Sequence, residues 1–199
     1  MQSPERFCSG GARLDRNSQL PRYRAIVESV VRFCPEGRVL DVGCGEASLL
    51  EHLPGGVKYI GLEPSPAAAA IARKRYVRFG ILHCAPETFA PGEYRWDCIV
   101  FNEVLRDCRN PAGLLVRYAA FLKKGGLMIV SLPEPERRRS ELRVLERILN
   151  FFRPKVPGGV MDVQAALTRL RWPVLEAKVV PFSAGTEWVL WTVRPCEVG

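Results

Sequence analysis

Apolar positions along this chain switch between two periods, and the switches mark its elements. Ile26, Val27, Val30, Val31 and Cys34 recur at three- and four-residue spacing, which predicts a helix over 20–34 that Pro35-Glu36-Gly37 ends. Residues 38–42 read as a buried strand, 46–53 as a helix closed by Pro54-Gly55-Gly56, and 57–63 as a second strand. A helix over 66–75, alanine-rich at its start, precedes a third strand at 76–84. A fourth strand covers 96–101, followed by a helix over 111–122 with Leu114, Leu115, Tyr118 and Leu122 inward. Lys123-Lys124-Gly125-Gly126 then turns the chain into a fifth strand, 127–132. Strand and helix alternating over short connections predict a parallel sheet covered on both faces.

The last third breaks the alternation. Leu142, Leu145, Leu149 and Phe152 form one stripe of a helix over 140–152, with Arg143 and Arg147 elsewhere. Another helix is predicted at 163–170. Two β-rich segments, 174–182 and 188–193, flank Ser183-Ala184-Gly185-Thr186 and read as a hairpin. The fold class is therefore α/β: a doubly wound, mostly parallel, seven-stranded sheet ending in a C-terminal antiparallel hairpin. Residues 1–18 read as a flexible arm and 19–199 as a single domain.

Composition narrows this picture without redirecting it. The chain has 199 residues, 47% apolar and 25% charged, enough for one soluble domain with a sizeable core. No apolar run approaches the roughly 18 residues that span a membrane, and the first twenty residues lack the apolar stretch of a secretory signal. Seven cysteines, without a Cys-x-x-Cys pair, suit reduced thiols in the cytoplasm, several of them on buried strands (Cys84, Cys98). Two histidines, His52 and His83, leave too few ligands for a metal site. His52, on the helix after the glycine turn, is expected to be exposed. The net charge of +8 permits an acidic partner, but a solvated basic surface accounts for it more simply. No basic and aromatic alternation of the nucleic-acid kind stands out.

The chemistry gathers at 39–48, Val-Leu-Asp-Val-Gly-Cys-Gly-Glu-Ala-Ser. Glycine lets a backbone approach a ligand closely and adopt turn angles that other residues resist. The Gly43-Cys44-Gly45 turn is expected to open a helix, so its N–H groups and the positive helix end face whatever binds there. Glu63, eighteen residues after Gly45, ends the next strand, where an acid can accept both hydroxyls of a ribose. A dinucleotide fingerprint would want a third glycine where Ser48 stands. Asp41 would also repel a pyrophosphate while welcoming a cationic ligand. The plainer readings are a turn cap for Asp41, a solvated strand end for Glu63 and a structural ring for His83.

With Val-Leu-Asp-Val-Gly-Cys-Gly at 39–45, the strand end at Glu63, the stretch from Trp96-Asp97 to Asn102-Glu103-Val104-Leu105, and Leu-Lys-Lys-Gly-Gly-Leu-Met-Ile-Val at 122–130, the chain resembles the class I S-adenosylmethionine-dependent methyltransferases. The resemblance covers about 20–132 by motif, and it implies the Rossmann-like methyltransferase fold and S-adenosylmethionine as cofactor. It implies that Asp41 and Gly43, Cys44 and Gly45 hold the methionine end, that Glu63 binds the ribose and that Pro64 flanks the adenine. Ala85, Pro86 and Glu87 would lie against the adenine, and Asn102 and Glu103 would close the pocket beneath the sulfonium. Ala85 departs from the family, which often has an acid there; Glu87 or the backbone alone would take over that contact.

No residue stands out as a general base: Asp107, Glu103 and His83 are the candidates, and positioning alone is the alternative. Arg106 and Asp107 follow the fourth strand, where relatives often contact substrate. Residues 133–171 would cover the substrate, with Pro133 and Pro135 as a hinge and Leu149, Phe151, Phe152, Val156 and Val160 as an apolar wall. Arg137-Arg138-Arg139 would meet an anionic group. Amino-methylases of nucleic-acid bases often carry Asn/Asp-Pro-Pro-Tyr where this chain has Asn102-Glu103-Val104-Leu105. The favoured acceptor is therefore a small molecule, apolar or anionic. An RNA methyltransferase and a non-catalytic S-adenosylmethionine-binding regulatory module are the alternatives.

Overall fold

The computed structural model describes residues 16–135, 159–181 and 186–196. Its elements in chain order are α1 (Arg16–Phe33), β1 (Arg38–Val42), β2 (Lys58–Glu63), α2 (Pro66–Arg75), β3 (Gly80–His83), β4 (Trp96–Asn102), α3 (Pro111–Ala119), β5 (Leu122–Pro135), α4 (Val160–Leu170), β6 (Val174–Pro181) and β7 (Thr186–Val193). The seven strands form one sheet in the order β3-β2-β1-β4-β5-β7-β6. Strands β1 to β5 pair in parallel, while β7 runs antiparallel to both β5 and β6. Doubly wound, mostly parallel and closed by an antiparallel hairpin, the sheet matches the fold class that the periodicity implies.

Alternation survives inside strands that are buried on both faces. Leu40, Val42, Ile99, Phe101, Met128 and Val130 pack on one side with Leu114, Leu115 and Tyr118 of α3 and Val163 and Leu167 of α4. Val39, Cys98, Val100 and Ile129 pack on the other with Ile26 and Val30 of α1 and Ala69 and Ala72 of α2. The small alanines let α2 lie close to the sheet. Two helix starts are written locally. Ser65 accepts from the Ala68 amide ahead of Pro66, and Asn110 accepts from the Gly113 amide at 2.9 Å ahead of Pro111.

Several boundaries differ from expectation. α1 begins at Arg16, inside the supposed arm. The expected helix at 46–53 is only a 3-10 turn, Ser48–Glu51. Strand β3 is four residues long, because the backbone turns through 77–79 before it. α3 stops at Ala119, and Leu122 opens β5, so Lys123 to Gly126 lie within an irregular strand whose pairing shifts between Trp96 and Cys98. Pro133 and Pro135 are not a hinge. They extend β5, opposite Trp188 and Thr186 of β7. α4 begins three residues early, and Val160 is 8% exposed within the core rather than on an outer wall. The helix expected at 140–152, with Arg137-Arg138-Arg139, Leu149, Phe151, Phe152 and Val156, lies outside the described residues.

Candidate functional site

Four loops leave the carboxyl ends of β1, β2, β3 and β4, adjacent strands of one parallel sheet. They bring together Gly43–Gly45, Glu63–Pro64, Ala85–Glu87 and Asn102–Glu103. The chain reverses its direction of winding between β1 and β4, and crevices at such reversals are where open α/β sheets take ligands.

Glu63 is held from two sides. One carboxylate oxygen accepts from the Gly45 amide at 2.7 Å, and the other from the Ser65 amide at 2.8 Å. A carboxylate has about four lone-pair sites, so two backbone donors leave each oxygen able to accept once more. This arrangement rewrites the expected role of the glycine turn. With only a 3-10 turn behind it, no helix end faces a ligand. Its amides are used within the protein instead, Cys44 donating to the Leu62 carbonyl at 2.8 Å and Gly45 to Glu63. The glycines matter for shape. Gly43 has φ +72°, and a Cβ there would collide with Val104 of the loop after β4. Gly45 has φ +57°, and a Cβ there would meet nothing within 4 Å. The turn is thus packed on one side and open on the other.

Asp41 points to the face that carries α1. It is 1% exposed and accepts from the Tyr59 hydroxyl at 2.8 Å, while its other oxygen has no hydrogen-bond partner among the described residues. Burial pushes its carboxyl up to about 7; the nearby Glu63 charge pushes the same way, whereas the Tyr59 bond and Arg22 oppose it. Burial and the Asp41 charge raise the Tyr59 hydroxyl well above its usual range, so it stays a donor. The Cys44 thiol is likewise raised by burial, then by Asp41 and Glu63, and remains protonated.

Glu103 sits at φ 67° just past β4 and pairs with Arg22 of α1, its amide donating to the Ser131 carbonyl at 2.9 Å. Arg22, 2% exposed, also contacts Gln19 and stacks over Trp188, 4.0 Å from the ring centroid. Asn102 accepts from the Ser131 hydroxyl at 2.8 Å. His83 is exposed, with Nε2 3.0 Å from the Pro64 carbonyl oxygen. His52 is half-buried rather than exposed, its ring stacked on Tyr23. The Pro86 carbonyl accepts from the buried Tyr118 hydroxyl at 2.9 Å. Glu87 is exposed and lines a groove of about 360 Å³ with Cys108, Arg109, Asn110, Gly113, Leu114 and Arg117. Arg106 is exposed after β4; the side chain of Asp107 and all of Phe152 lie outside the described residues.

The sequence signature of a methyltransferase domain matches residues 15–188. The chain belongs to the methyltransferase-domain family. Its fold neighbours agree. The N-methyltransferase NodS from Bradyrhizobium japonicum, solved with S-adenosyl-L-homocysteine, superposes with a TM-score of 0.72 at 17% identity, over 92% of this chain and 90% of that one. Among sequence relatives, the ubiquinone biosynthesis O-methyltransferase of Bradyrhizobium diazoefficiens is 36% identical over 99 residues, 47% of this chain and 39% of the relative. The trans-aconitate 2-methyltransferase of Acidovorax ebreus is 36% identical over 124 residues, 57% of this chain and 45% of the relative. The chain thus spans less than half the length of these two relatives.

S-adenosylmethionine is the cofactor of this family, and the residues present fit it. Glu63 at the end of β2 keeps lone pairs to spare, Gly45 is open on one side, and one buried Asp41 oxygen on β1 has no hydrogen-bond partner among the described residues. Two functional residues escaped the sequence reading. Tyr59 alternates with Gly61 and Glu63 along β2, and a Cβ on Gly61 would lie 2.6 Å from the Cys44 sulfur. Arg22 lies four residues before Ile26 on the inward stripe of α1, and a cation on an apolar stripe was the available signal.

Proposed function

We propose that this methyltransferase moves a methyl group from S-adenosylmethionine to a small-molecule acceptor by in-line displacement, mainly through positioning. The observation that carries this reading is the Glu63 carboxylate, pinned by two amides beside the open face of Gly45. When bound, the cofactor supplies an electrophilic methyl group on a sulfonium. Glu63 accepts the two ribose hydroxyls. Pro64 and the Ala85–Glu87 segment flank the adenine, and Glu87, which also lines the groove beside α3, or the backbone makes the contact of the acid missing at Ala85. Asp41 and Gly43–Gly45 hold the methionine end, and the unpartnered Asp41 oxygen supports this.

Glu103 closes the pocket beneath the sulfonium but is no free base, since Arg22 occupies its carboxylate. Arg22 and Trp188 pack α1 over that end of the crevice, which excludes water. Arg106, exposed after β4, is assigned to the acceptor side. Six free cysteines among the described residues, Cys34, Cys44, Cys84, Cys98, Cys108 and Cys196, support a reducing cytoplasmic setting. Among the described residues, no helix is long and apolar enough to cross a membrane.

Calorimetric titration of the whole chain with S-adenosylhomocysteine tests the pocket, and turnover of radiolabelled S-adenosylmethionine against phenol, amine, thiol and carboxylate acceptors tests the reaction. Binding lost in Glu63→Ala together with turnover on one acceptor class supports the proposal. Unchanged binding in Glu63→Ala refutes the pocket. Tight binding with no turnover on any class points to the regulatory module instead.

A further inference from the structure

Away from the crevice, the flank at edge strand β3 combines features that a purely solvated surface does not need. The run from Arg73 to Phe79, Arg-Lys-Arg-Tyr-Val-Arg-Phe, interleaves four cations with apolar side chains and contains no acid. It covers the last turn of α2 and the turn into β3. Val77 is 82% exposed, Ile71 42% and Phe79 37%. Ile71 and Lys74 are three residues apart and share a face of α2, with Val77 and Arg78 in the turn beyond its end. Arg75 is paired with Glu51 and Arg73 is tied to the Ile81 carbonyl, but Lys74 and Arg78 have no partner among the described residues.

We propose that this flank docks on an anionic lipid surface, with Lys74 and Arg78 over the headgroups and Ile71 and Val77 entering the boundary with the acyl chains. Charge complementarity selects the partner. Cytoplasmic leaflets carry a negative surface potential that attracts basic clusters, and exposed apolar side chains add the term that a purely ionic contact lacks. The apolar prongs also argue for lipid over nucleic acid. Single-stranded nucleic acid is held by stacking on open aromatic faces, yet the most exposed apolar residues here are aliphatic. The Phe79 ring is turned edge-on against Tyr59, centroids 6.2 Å apart and planes at 90°. This docking is independent of the methyl-transfer reading.

Co-sedimentation of the whole chain with vesicles tests it, comparing pure phosphatidylcholine with a phosphatidylcholine–phosphatidylglycerol mixture. The chain should sediment with the mixed vesicles, and much less with the neutral ones or at high salt. One cation near an anionic surface changes partitioning about fivefold, so Lys74→Ser with Arg78→Ser should lower it about 25-fold. Val77→Asp should lower it at least as much as one lost cation. Arg169→Ser, an exposed cation on α4 and far from edge strand β3, should change nothing. Circular dichroism establishes that each variant is folded, and all these positions are exposed. Equal sedimentation with neutral vesicles, or sedimentation unchanged in both flank variants, overturns the proposal. So does binding of single-stranded RNA, or self-association in sedimentation velocity, that these same variants abolish while vesicle binding is absent.

Discussion

Replacing Asp41 with asparagine should make the protein more stable while weakening its hold on the cofactor. Asp41 is fully buried on β1, and its carboxyl is raised from the ordinary 3.8 to about 7, chiefly by burial. The folded state therefore holds the proton more tightly than the unfolded chain. What Asp41 contributes is most favourable below the unfolded value and is lost as pH rises from about 4 to about 7. At 1.36 kcal/mol per pH unit, the ionised carboxylate costs the fold about 4 kcal/mol above neutrality. Near pH 5 the corresponding cost is only about 1–2 kcal/mol. Asparagine has a similar shape, can still accept from Tyr59 and never ionises.

Urea unfolding of the wild type and Asp41→Asn near pH 5 and near pH 8 measures this directly. The variant's advantage should grow by roughly 2–3 kcal/mol between the two. Parallel pH curves for the two proteins would refute the buried-acid account. Binding should move oppositely. A cationic ligand favours ionised Asp41, so S-adenosylmethionine affinity should fall below about pH 7, by up to tenfold per pH unit. The variant should bind weakly at every pH and lose that slope.

Glu63→Ala should weaken S-adenosylhomocysteine by roughly 1–3 kcal/mol, as expected when a charged acceptor is removed, which calorimetry reads as a drop in affinity; thermal stability should fall as well, because the Gly45 and Ser65 amides lose their acceptor. Gly43→Ala should destabilise the protein by roughly 2–5 kcal/mol, because left-handed strain adds to overpacking against Val104. Adding Val104→Ala should recover part of the loss, and strict additivity in that double-mutant cycle would contradict the contact. Arg22→Met keeps bulk but frees Glu103, which is about one-third exposed, so stability should fall by roughly 1–3 kcal/mol. A pH profile of turnover that gains a carboxylate limb in this variant would show that Arg22 had held Glu103 away from acting as a base.

Local pattern was enough to read much of this protein. The strands alternate between two faces even where both are buried, and Pro66 and Pro111 follow capping side chains at helix starts, so β1, β2, α2, β4 and the C-terminal hairpin were legible from neighbours a few residues apart. The same holds for the glycine turn followed at fixed spacing by Glu63, since a turn between two parallel strands is itself a local device. Long-range packing decided the rest. The segment after Gly45 forms only a 3-10 turn, because its amides are drawn to Leu62 and Glu63 across the sheet. Buried Asp41 found its hydrogen-bond donor in Tyr59, eighteen residues away and on the neighbouring strand. Glu103 found its ion-pair partner in Arg22, 81 positions earlier in the chain. Periodicity reports which side chains leave water, but partners for a buried charge come from other elements, and only tertiary structure brings those together.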